Sequence, residues 1–368
     1  MINAYTLYYT LERLYTNIAR HLPGGYALPP LQVVLELTYR CNLKCEMCYQ
    51  RRQVDQLGIR HIDKARELSA DEIKQLVRGT PWWSLIVFTG GEPLLRQDAL
   101  DIITYTARRR RCHIVTNGVA LGVEPEMAAG LVEAGVMSVG ISLDGDRATH
   151  DTIRGIPGTF DKTLRGMQTL QRIRRERRRV WPLINVKSVI THANVAQLRQ
   201  IVALAAESGA DFCTFQMQNN SIYLSGLMPN RDLSLYAARP DPIVDLDVAA
   251  LQQELASLTA RQTERPIVRF IPDLPLADYI LHYENRADPA DYLCQTPWAT
   301  LNISAYGDVF PCLNYAIGNV REKSLACLWN NSRFRAFRRA LRANGLFLGC
   351  VGCCDLRPRH RTLREVEE

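Results

Sequence analysis

The sequence has no long apolar run and no export signal. No stretch of its 368 residues approaches the roughly 20 apolar residues that a membrane-spanning helix needs. The first 22 residues include Glu12, and they have neither a continuous apolar core nor a small-residue cleavage site. These two absences argue against a membrane span and a signal peptide, and they predict a cytoplasmic protein.

Aromatic residues make up only 8% of the chain. The net charge of +7 comes mostly from arginine runs at 108–111, 172–179 and 333–342, which fall on predicted helix ends or faces. These runs are not interleaved with aromatic residues on which bases could stack. The charge is therefore assigned to solvated helix surfaces, and a nucleic acid or another anionic partner is the less favoured reading.

Cysteine, by contrast, is abundant, with eleven in the chain. In a reducing compartment, clustered thiols indicate metal ligands rather than disulfides. Cys41, Cys45 and Cys48 follow the apolar run 31–37, which predicts a buried strand, so the thiols begin where a strand ends. Three thiolates at this spacing can hold three irons of a 4Fe-4S cube and leave the fourth iron without a protein ligand.

Two other interpretations apply to these thiols. They could form a zinc knuckle completed by a distant histidine, or they could be unrelated core residues. Zinc hooks favour paired C-x2-C spacings, whereas the first gap here is three residues and the next histidine is His61. The spacing therefore favours an iron-sulfur site.

The motif C-x3-C-x2-C, with the aromatic Tyr49 beside its last cysteine, resembles that of the radical S-adenosylmethionine (SAM) enzymes. The resemblance implies that SAM chelates the open iron, and that an electron cleaves it to methionine and a 5'-deoxyadenosyl radical. That radical would remove a hydrogen atom from a substrate. The resemblance also implies catalytic roles for Cys41, Cys45 and Cys48, and a flavodoxin- or ferredoxin-type electron donor.

Further residues at predicted strand ends match the SAM-binding positions of this family. The segment Gly90-Gly91-Glu92-Pro93 resembles the GGEP motif, which holds the amino group of SAM. The resemblance also places Thr116, Asn117, Ser142 and Asp144 near the ribose and carboxylate of SAM, and makes Arg154 a candidate for the SAM carboxylate or a substrate anion. Taken alone, these segments are also ordinary turn sequences.

Strands and helices alternate along most of the chain. Predicted strands near 31, 85, 112, 136, 184 and 212, with helices between them, indicate an α/β fold, a partial (β/α)6 TIM-like barrel. The motifs above all lie at carboxyl ends of strands, where such barrels carry their sites. The predicted organisation is an N-terminal helix in 1–30 that serves for packing, the barrel in 31–220, a connector that shapes the substrate pocket in 221–290, and a small domain in 291–368.

A second group of cysteines lies in the last part of the chain: Cys294, Cys312, Cys350, Cys353 and Cys354. With the glycines around Cys312, they resemble the SPASM/twitch extension, but no cysteine follows Cys354, so the set for two clusters is incomplete. Cys294, Cys312, Cys350 and Cys353 suffice for one auxiliary 4Fe-4S cluster, and Cys354 could replace Cys353. A zinc ion held by four thiolates is the alternative. Cys112, Cys213 and Cys327 are predicted to be core residues.

A twitch-type extension looks most like that of the radical SAM dehydrogenases of aminocyclitol biosynthesis. The resemblance implies an oxidoreductase that oxidises a sugar-like alcohol, with the auxiliary cluster as electron acceptor. The alternatives are a ribosomal-peptide maturase (an epimerase, or a thioether or C-C crosslinking enzyme) and a carbohydrate epimerase. A non-catalytic metal-binding protein that binds nucleic acid is the remote alternative.

Overall fold

The computed structural model describes residues 4–56, 62–219, 231–239, 241–259, 265–312 and 315–359. His61, the histidine considered for a zinc site, and the first ten residues of the predicted connector, 221–230, lie outside the described residues. The strands are β1 Gln32–Thr38, β2 Leu85–Gly90, β3 Arg111–Thr116, β4 Ser138–Ser142, β5 Leu183–Val189, β6 Phe212–Gln216, β7 Ile267–Ile271, β8 Tyr292–Cys294, β9 Thr300–Ile303, β10 Asp308–Phe310, β11 Gly318–Asn319 and β12 Leu356–Pro358.

The helices alternate with these strands through the first two thirds of the chain. They are α1 Ala4–His21, α2 Tyr49–Gln56, α3 Ala70–Gly79, α4 Ala99–Ala107, α5 Val119–Val123, α6 Pro125–Ala134, α7 Arg147–Arg154, α8 Thr159–Glu176, α9 Leu198–Glu207, α10 Val248–Thr259, α11 Leu276–Tyr283, α12 Leu325–Trp329 and α13 Ser332–Asn344. Within the ranges that the structure describes, no helix combines the length and the apolar character needed to cross a bilayer.

The main sheet has ten strands in the order β11-β10-β9-β1-β2-β3-β4-β5-β6-β7. Strands β1 to β7 pair in chain order, each parallel to the next. The six predicted strands are therefore confirmed, and β7, from the predicted connector, adds a seventh. On the opposite edge, β9 pairs parallel with β1, so the C-terminal region extends the barrel sheet.

The burial pattern of the strands follows from their two-residue period. On β5, Ile184 and Val186 are fully buried, whereas Asn185 and Lys187 at the alternate positions keep partial exposure. Alternate residues of a strand face opposite sides, so the buried set packs outward against the helices and the other set faces the barrel interior. Each fully buried Ile or Val contributes about 1.5–3 kcal/mol.

Helix α3 begins as the sequence predicts. The Ser69 hydroxyl accepts a hydrogen bond from the Glu72 amide at 3.2 Å, and the Glu72 carboxylate accepts one from the Ser69 amide at 2.7 Å. This reciprocal pair satisfies two amides at the helix start. Glu72 also forms an ion pair with Arg321 at 2.6 Å, which joins α3 to the C-terminal region.

Helix α1 contacts the C-terminal region on one side. Glu12 forms an ion pair with Arg357 at 2.7 Å, and the Thr16 hydroxyl donates a hydrogen bond to Gln295 at 3.1 Å. These contacts agree with the packing role expected for the N-terminal helix.

The three cysteines assigned to the core differ in burial. Cys112 on β3 and Cys213 on β6 are buried, as expected. The prediction for Cys327 is wrong, because this residue is exposed. It lies on the outer side of the short helix α12, whose Leu325 and Leu328 face the core.

Candidate active site

The glycine pair that ends β2 fixes the start of the cysteine loop. The Gly91 amide donates to the Thr38 carbonyl at 2.7 Å, and the Glu92 amide donates to the Arg40 carbonyl at 2.8 Å. Any Cβ at Gly90 or Gly91 would overlap these same carbonyl oxygens, and Gly90 has a φ of +125°. Only glycine permits this close approach, which continues the β1–β2 pairing up to the residue before Cys41.

The cysteine loop is also attached to the end of α7. The Lys44 amide donates to the Arg154 carbonyl at 3.0 Å, and the Glu46 amide donates to the Ile153 carbonyl at 2.9 Å. The Arg154 guanidinium lies 3.5 Å from the Cys45 sulfur. The loop is therefore held from two sides, and a cation lies beside one of its thiols.

The Glu92 side chain joins the ends of β2 and β3 rather than projecting freely. Its carboxylate accepts hydrogen bonds from the Thr116 hydroxyl at 2.7 Å, the Asn117 amide at 2.7 Å and the Leu94 amide at 3.1 Å. Burial raises the pKa of Glu92, although these bonds oppose that effect. The Asn117 side chain in turn donates to Asn42 of the cysteine loop at 2.8 Å. The GGEP segment thus supports the cysteine loop by direct contacts.

Asp144 and Arg154 form a buried ion pair beneath the loop. Asp144 is fully buried, its carboxylate lies 2.6 Å from the Arg154 guanidinium, and it accepts a hydrogen bond from the Ser188 hydroxyl at 3.3 Å. Burial alone would lower the pKa of Arg154, but Asp144 and the Cys45 thiol raise it. The roles predicted for both residues in SAM binding stay predictions, and the observed contacts favour a supporting role.

The other residues predicted to bind SAM surround this edge. Tyr49 begins α2 directly after Cys48, Pro93 begins a short 3-10 turn after Glu92, and Ser142 ends β4 with partial exposure. The structure therefore brings the predicted residues together at the carboxyl edge of strands β1 to β4.

The spread of the first thiol group favours a cluster over a single metal ion. A zinc ion holds its thiolates at about 2.3 Å, which crowds the ligand sulfurs together. Among the described residues, the one group of three ligand atoms within 4.8 Å of one another comprises Cys353, Cys354 and Asp355. Cys45 and Cys48 influence Cys41 electrostatically, but at least one pair of these three sulfurs lies more than 4.8 Å apart. We call these three thiols the open site, because Cys41 is exposed.

The second thiol group is more enclosed. Cys312 lies within electrostatic reach of Cys294, Cys350 and Cys353, and the Tyr236 hydroxyl hydrogen-bonds its thiol. Burial raises the pKa of Cys294 to about 12 and also raises that of Cys350. Cluster binding would therefore displace protons from these thiols. We call Cys294, Cys312, Cys350 and Cys353 the closed site.

Cys354 borders the closed site but is also coupled to residues of the barrel. Its sulfur lies within 4.8 Å of the Cys353 sulfur and of an Asp355 carboxylate oxygen, and the Asn219 side-chain amide donates to it at 4.0 Å. The same thiol also influences Tyr49, Lys187 and Tyr279 electrostatically. The thiol thus lies between the closed site and the barrel interior. This position favours Cys353 as the fourth ligand and leaves Cys354 on the substrate side.

Family models match both parts of the chain. The Radical SAM superfamily matches residues 35–202, and an iron-sulfur cluster-binding domain, SPASM, matches residues 294–354. The chain belongs to the radical SAM superfamily. It is a radical SAM enzyme with a C-terminal SPASM domain, and these two domains imply 4Fe-4S clusters and SAM as cofactors.

Three curated radical SAM relatives differ in how much of the chain they match. The Fe-coproporphyrin III synthase of Methanosarcina barkeri is 40% identical over 145 residues, which cover 38% of this chain and 33% of that protein. The AdoMet-dependent heme synthase of the same organism is 27% identical over 347 residues, covering 89% and 88%. The PqqA peptide cyclase of Xanthomonas campestris is 29% identical over 345 residues, covering 88% and 79%.

A solved structure supports the fold of this radical SAM enzyme. Streptococcus suis SuiB bound to precursor peptide SuiA aligns with a TM-score of 0.64 at 16% identity, covering 94% of this chain and 76% of that one. At this identity the likeness concerns the fold alone. It confirms the α/β partial barrel with its C-terminal domain.

Sequence reasoning missed three residues on the barrel interior, Glu36, His113 and Lys187. Glu36 stands between Leu35 and Leu37, and Lys187 directly follows Val186. Both residues lie in strands whose apolar residues predict a buried position. The sequence does contain a signal for such residues, namely a titratable side chain within an otherwise apolar strand. Such a side chain must either bind a polar partner or face an open space. Burial raises the pKa of Glu36 to about 7.

Proposed function

We propose that this radical SAM enzyme removes a hydrogen atom from a carboxylate-bearing tetrapyrrole during formation of a heme-type compound. The observation that carries the proposal is the similarity to an AdoMet-dependent heme synthase along nearly the full length of both chains. The Fe-coproporphyrin III synthase adds a shorter match at higher identity, 40% over 145 residues.

The residues present fit the groups that this chemistry requires. Cys41, Cys45 and Cys48 would hold the SAM-binding cluster, and bound SAM would supply the 5'-deoxyadenosyl radical that takes the hydrogen atom. The closed site would hold an auxiliary cluster, whose chemistry is one-electron transfer. The chain itself positions the open site through Glu92 and the glycine pair, and encloses the substrate in the barrel.

The oxidoreductase class predicted from the sequence stays part of this proposal, as do the flavodoxin- or ferredoxin-type electron donor and the cytoplasmic location. The alcohol expected as substrate is less well supported. None of the relatives described above is named for a sugar or an aminocyclitol, whereas two are named for heme-type products and one for a peptide.

Peptide modification is the second candidate. Similarity to the PqqA peptide cyclase, at 29% identity over 88% of the chain, favours it nearly as strongly. An acidic peptide would suit the net positive charge of the chain.

Substrate-dependent deuterium transfer tests the proposal. The reconstituted protein is incubated anaerobically with SAM, dithionite and one deuterated substrate: a coproporphyrin-type tetrapyrrole, an acidic peptide or an aminocyclitol. We expect deuterium in 5'-deoxyadenosine from the tetrapyrrole only. Transfer from the peptide or the aminocyclitol, with none from the tetrapyrrole, would overturn the proposal.

A further inference from the structure

The barrel interior contains a lysine that the roles described above do not use. Lys187 lies on β5 opposite Ser142, and its neighbours Val186 and Ser188 face the helices. Its side chain therefore points into the barrel. His113 on β3 also faces the barrel interior, and its ring nitrogen lies 2.7 Å from the Ser138 hydroxyl.

Gly140 provides the space that this lysine occupies. A Cβ at Gly140 would lie 2.9 Å from Lys187 Cε, 3.1 Å from its Cδ and 3.3 Å from His113 Cε1. The lysine side chain therefore lies across β4, two residues before the Ser142 end of that strand. It extends deeper into the barrel than the edge at which the SAM-binding motifs lie.

Lys187 has no acidic partner among the residues that the structure describes. No ion pair or hydrogen bond of its ammonium group occurs there, and it is coupled electrostatically to the Cys354 thiol and the His113 ring. Burial lowers the pKa of Lys187. Because the side chain keeps partial exposure, its ammonium group is accessible from the barrel interior, and a carboxylate there would pair with a cation that no described residue neutralises.

The nearby titratable groups do not offer that anion. Burial lowers the pKa of His113 to about 3, so its ring is neutral at pH 7. Glu36 lies on β1, with three strands between it and β5, and burial raises its pKa to about 7, which leaves it only partly ionised near neutral pH. The interior around Lys187 is thus short of negative charge.

We propose that Lys187 binds a carboxylate of the substrate inside the barrel, and that Gly140 is the residue that makes room for this contact. The inference rests on the proposed function, which supplies a tetrapyrrole whose side chains end in carboxylates. The Cys354 thiol would border the same space, between the substrate and the closed site.

Binding of a charged and an uncharged tetrapyrrole tests this assignment without turnover. Fe-coproporphyrin III and its tetramethyl ester are titrated into the SAM-loaded protein, and the absorbance change is followed. Lys187→Met should weaken binding of the acid by about 10- to 100-fold, the range expected for a hydrogen bond to a charged group, and leave ester binding unchanged. Lys187→Arg should keep most of the acid affinity, and Lys323→Met, at an exposed lysine, should match the wild type.

The outcomes distinguish failure of the subsite assignment from failure of the proposed function. If Lys187→Met binds acid and ester as the wild type does, or if it weakens SAM binding instead, the subsite assignment is wrong. If the wild type binds neither tetrapyrrole, the proposed function fails. In that case reductive methylation of lysines tests the subsite separately. Excess propionate should protect Lys187 from methylation and leave Lys323 unprotected. Equal labelling of Lys187 with and without propionate would overturn the subsite assignment.

Discussion

The two thiol sites of this chain differ in how they meet the rest of the molecule. The open site has three cysteines on a loop between strand ends, and Cys41 is exposed. The closed site has four, gathered from β8, the turn after β10 and the segment around Cys350. A three-thiolate cluster leaves one iron available for a ligand, whereas a four-thiolate cluster does not. On this comparison we expect SAM to bind at the open site, and electron transfer or structural support to be the role of the closed site.

The largest expected effect comes from removing the open site. Replacing Cys41, Cys45 and Cys48 with alanine should reduce the iron content from about eight to about four per chain and abolish SAM cleavage. Cys327→Ala, at an exposed cysteine outside both sites, should change neither quantity. Iron analysis and 5'-deoxyadenosine assays measure the two effects, and 5'-deoxyadenosine from the triple variant would refute the assignment of the open site.

A matched pair of variants then tests the boundary of the closed site. Cys353→Ala should lose about four irons, because Cys353 lies with Cys312 and Cys350. Cys354→Ala should keep about eight, because the Cys354 thiol is coupled electrostatically to Tyr49, Lys187 and Tyr279 of the barrel. The opposite pattern would make Cys354 the ligand and move Cys353 to the substrate side.

A Glu92 variant tests whether the hydrogen bonds that support the open site can be weakened without changing its three thiols. Glu92→Gln replaces an oxygen that accepts buried hydrogen bonds with an amide nitrogen, which should lower stability by about 1–3 kcal/mol. Because Asn117 and the cysteine loop depend on this carboxylate, SAM binding should weaken while iron content stays the same. Equilibrium SAM binding and thermal unfolding measure both effects, with the exposed Glu176→Gln as control. Unchanged SAM affinity and stability would contradict the contacts described here.

The smallest effect concerns the acid on the barrel interior. Glu36 has its pKa raised by burial from 4.5 to about 7, so its stabilising contribution is full below pH 4.5 and is lost as pH rises through about 7. Between pH 6 and pH 8, the wild type should lose about 1 kcal/mol of stability that Glu36→Gln does not lose. Thermal unfolding at the two pH values measures this difference. Parallel pH dependence of the two proteins would show that Glu36 ionises normally.

Much of the barrel and of the open site could be predicted from the sequence. The strands carry continuous apolar runs, and the cysteine and GGEP motifs depend on local spacing, which a sequence displays directly. The ten-stranded sheet could not be predicted in the same way. Pairing of β9 with β1 joins residues more than 260 positions apart, and no local pattern records such a contact.

The contacts within the site also escaped sequence reasoning. Glu92, Asp144 and Arg154 carry the residue types that bind SAM in this family, but the structure shows each bonded to other protein groups. The position of Cys354 depends on how one turn faces the barrel, which the spacing of adjacent cysteines does not determine. The same holds for Lys187, because its place beside Gly140 arises from the register of two strands.

The division between an open and a closed site is tested most directly by electron paramagnetic resonance of the dithionite-reduced protein, with and without SAM. The wild type should show signals of two clusters, and SAM should change one of them. In the Cys312→Ala/Cys350→Ala variant the SAM-sensitive signal should remain alone, and in the variant lacking Cys41, Cys45 and Cys48 the remaining signal should not respond to SAM. A signal that responds to SAM in the latter variant, or its loss in the former folded variant, would contradict the account.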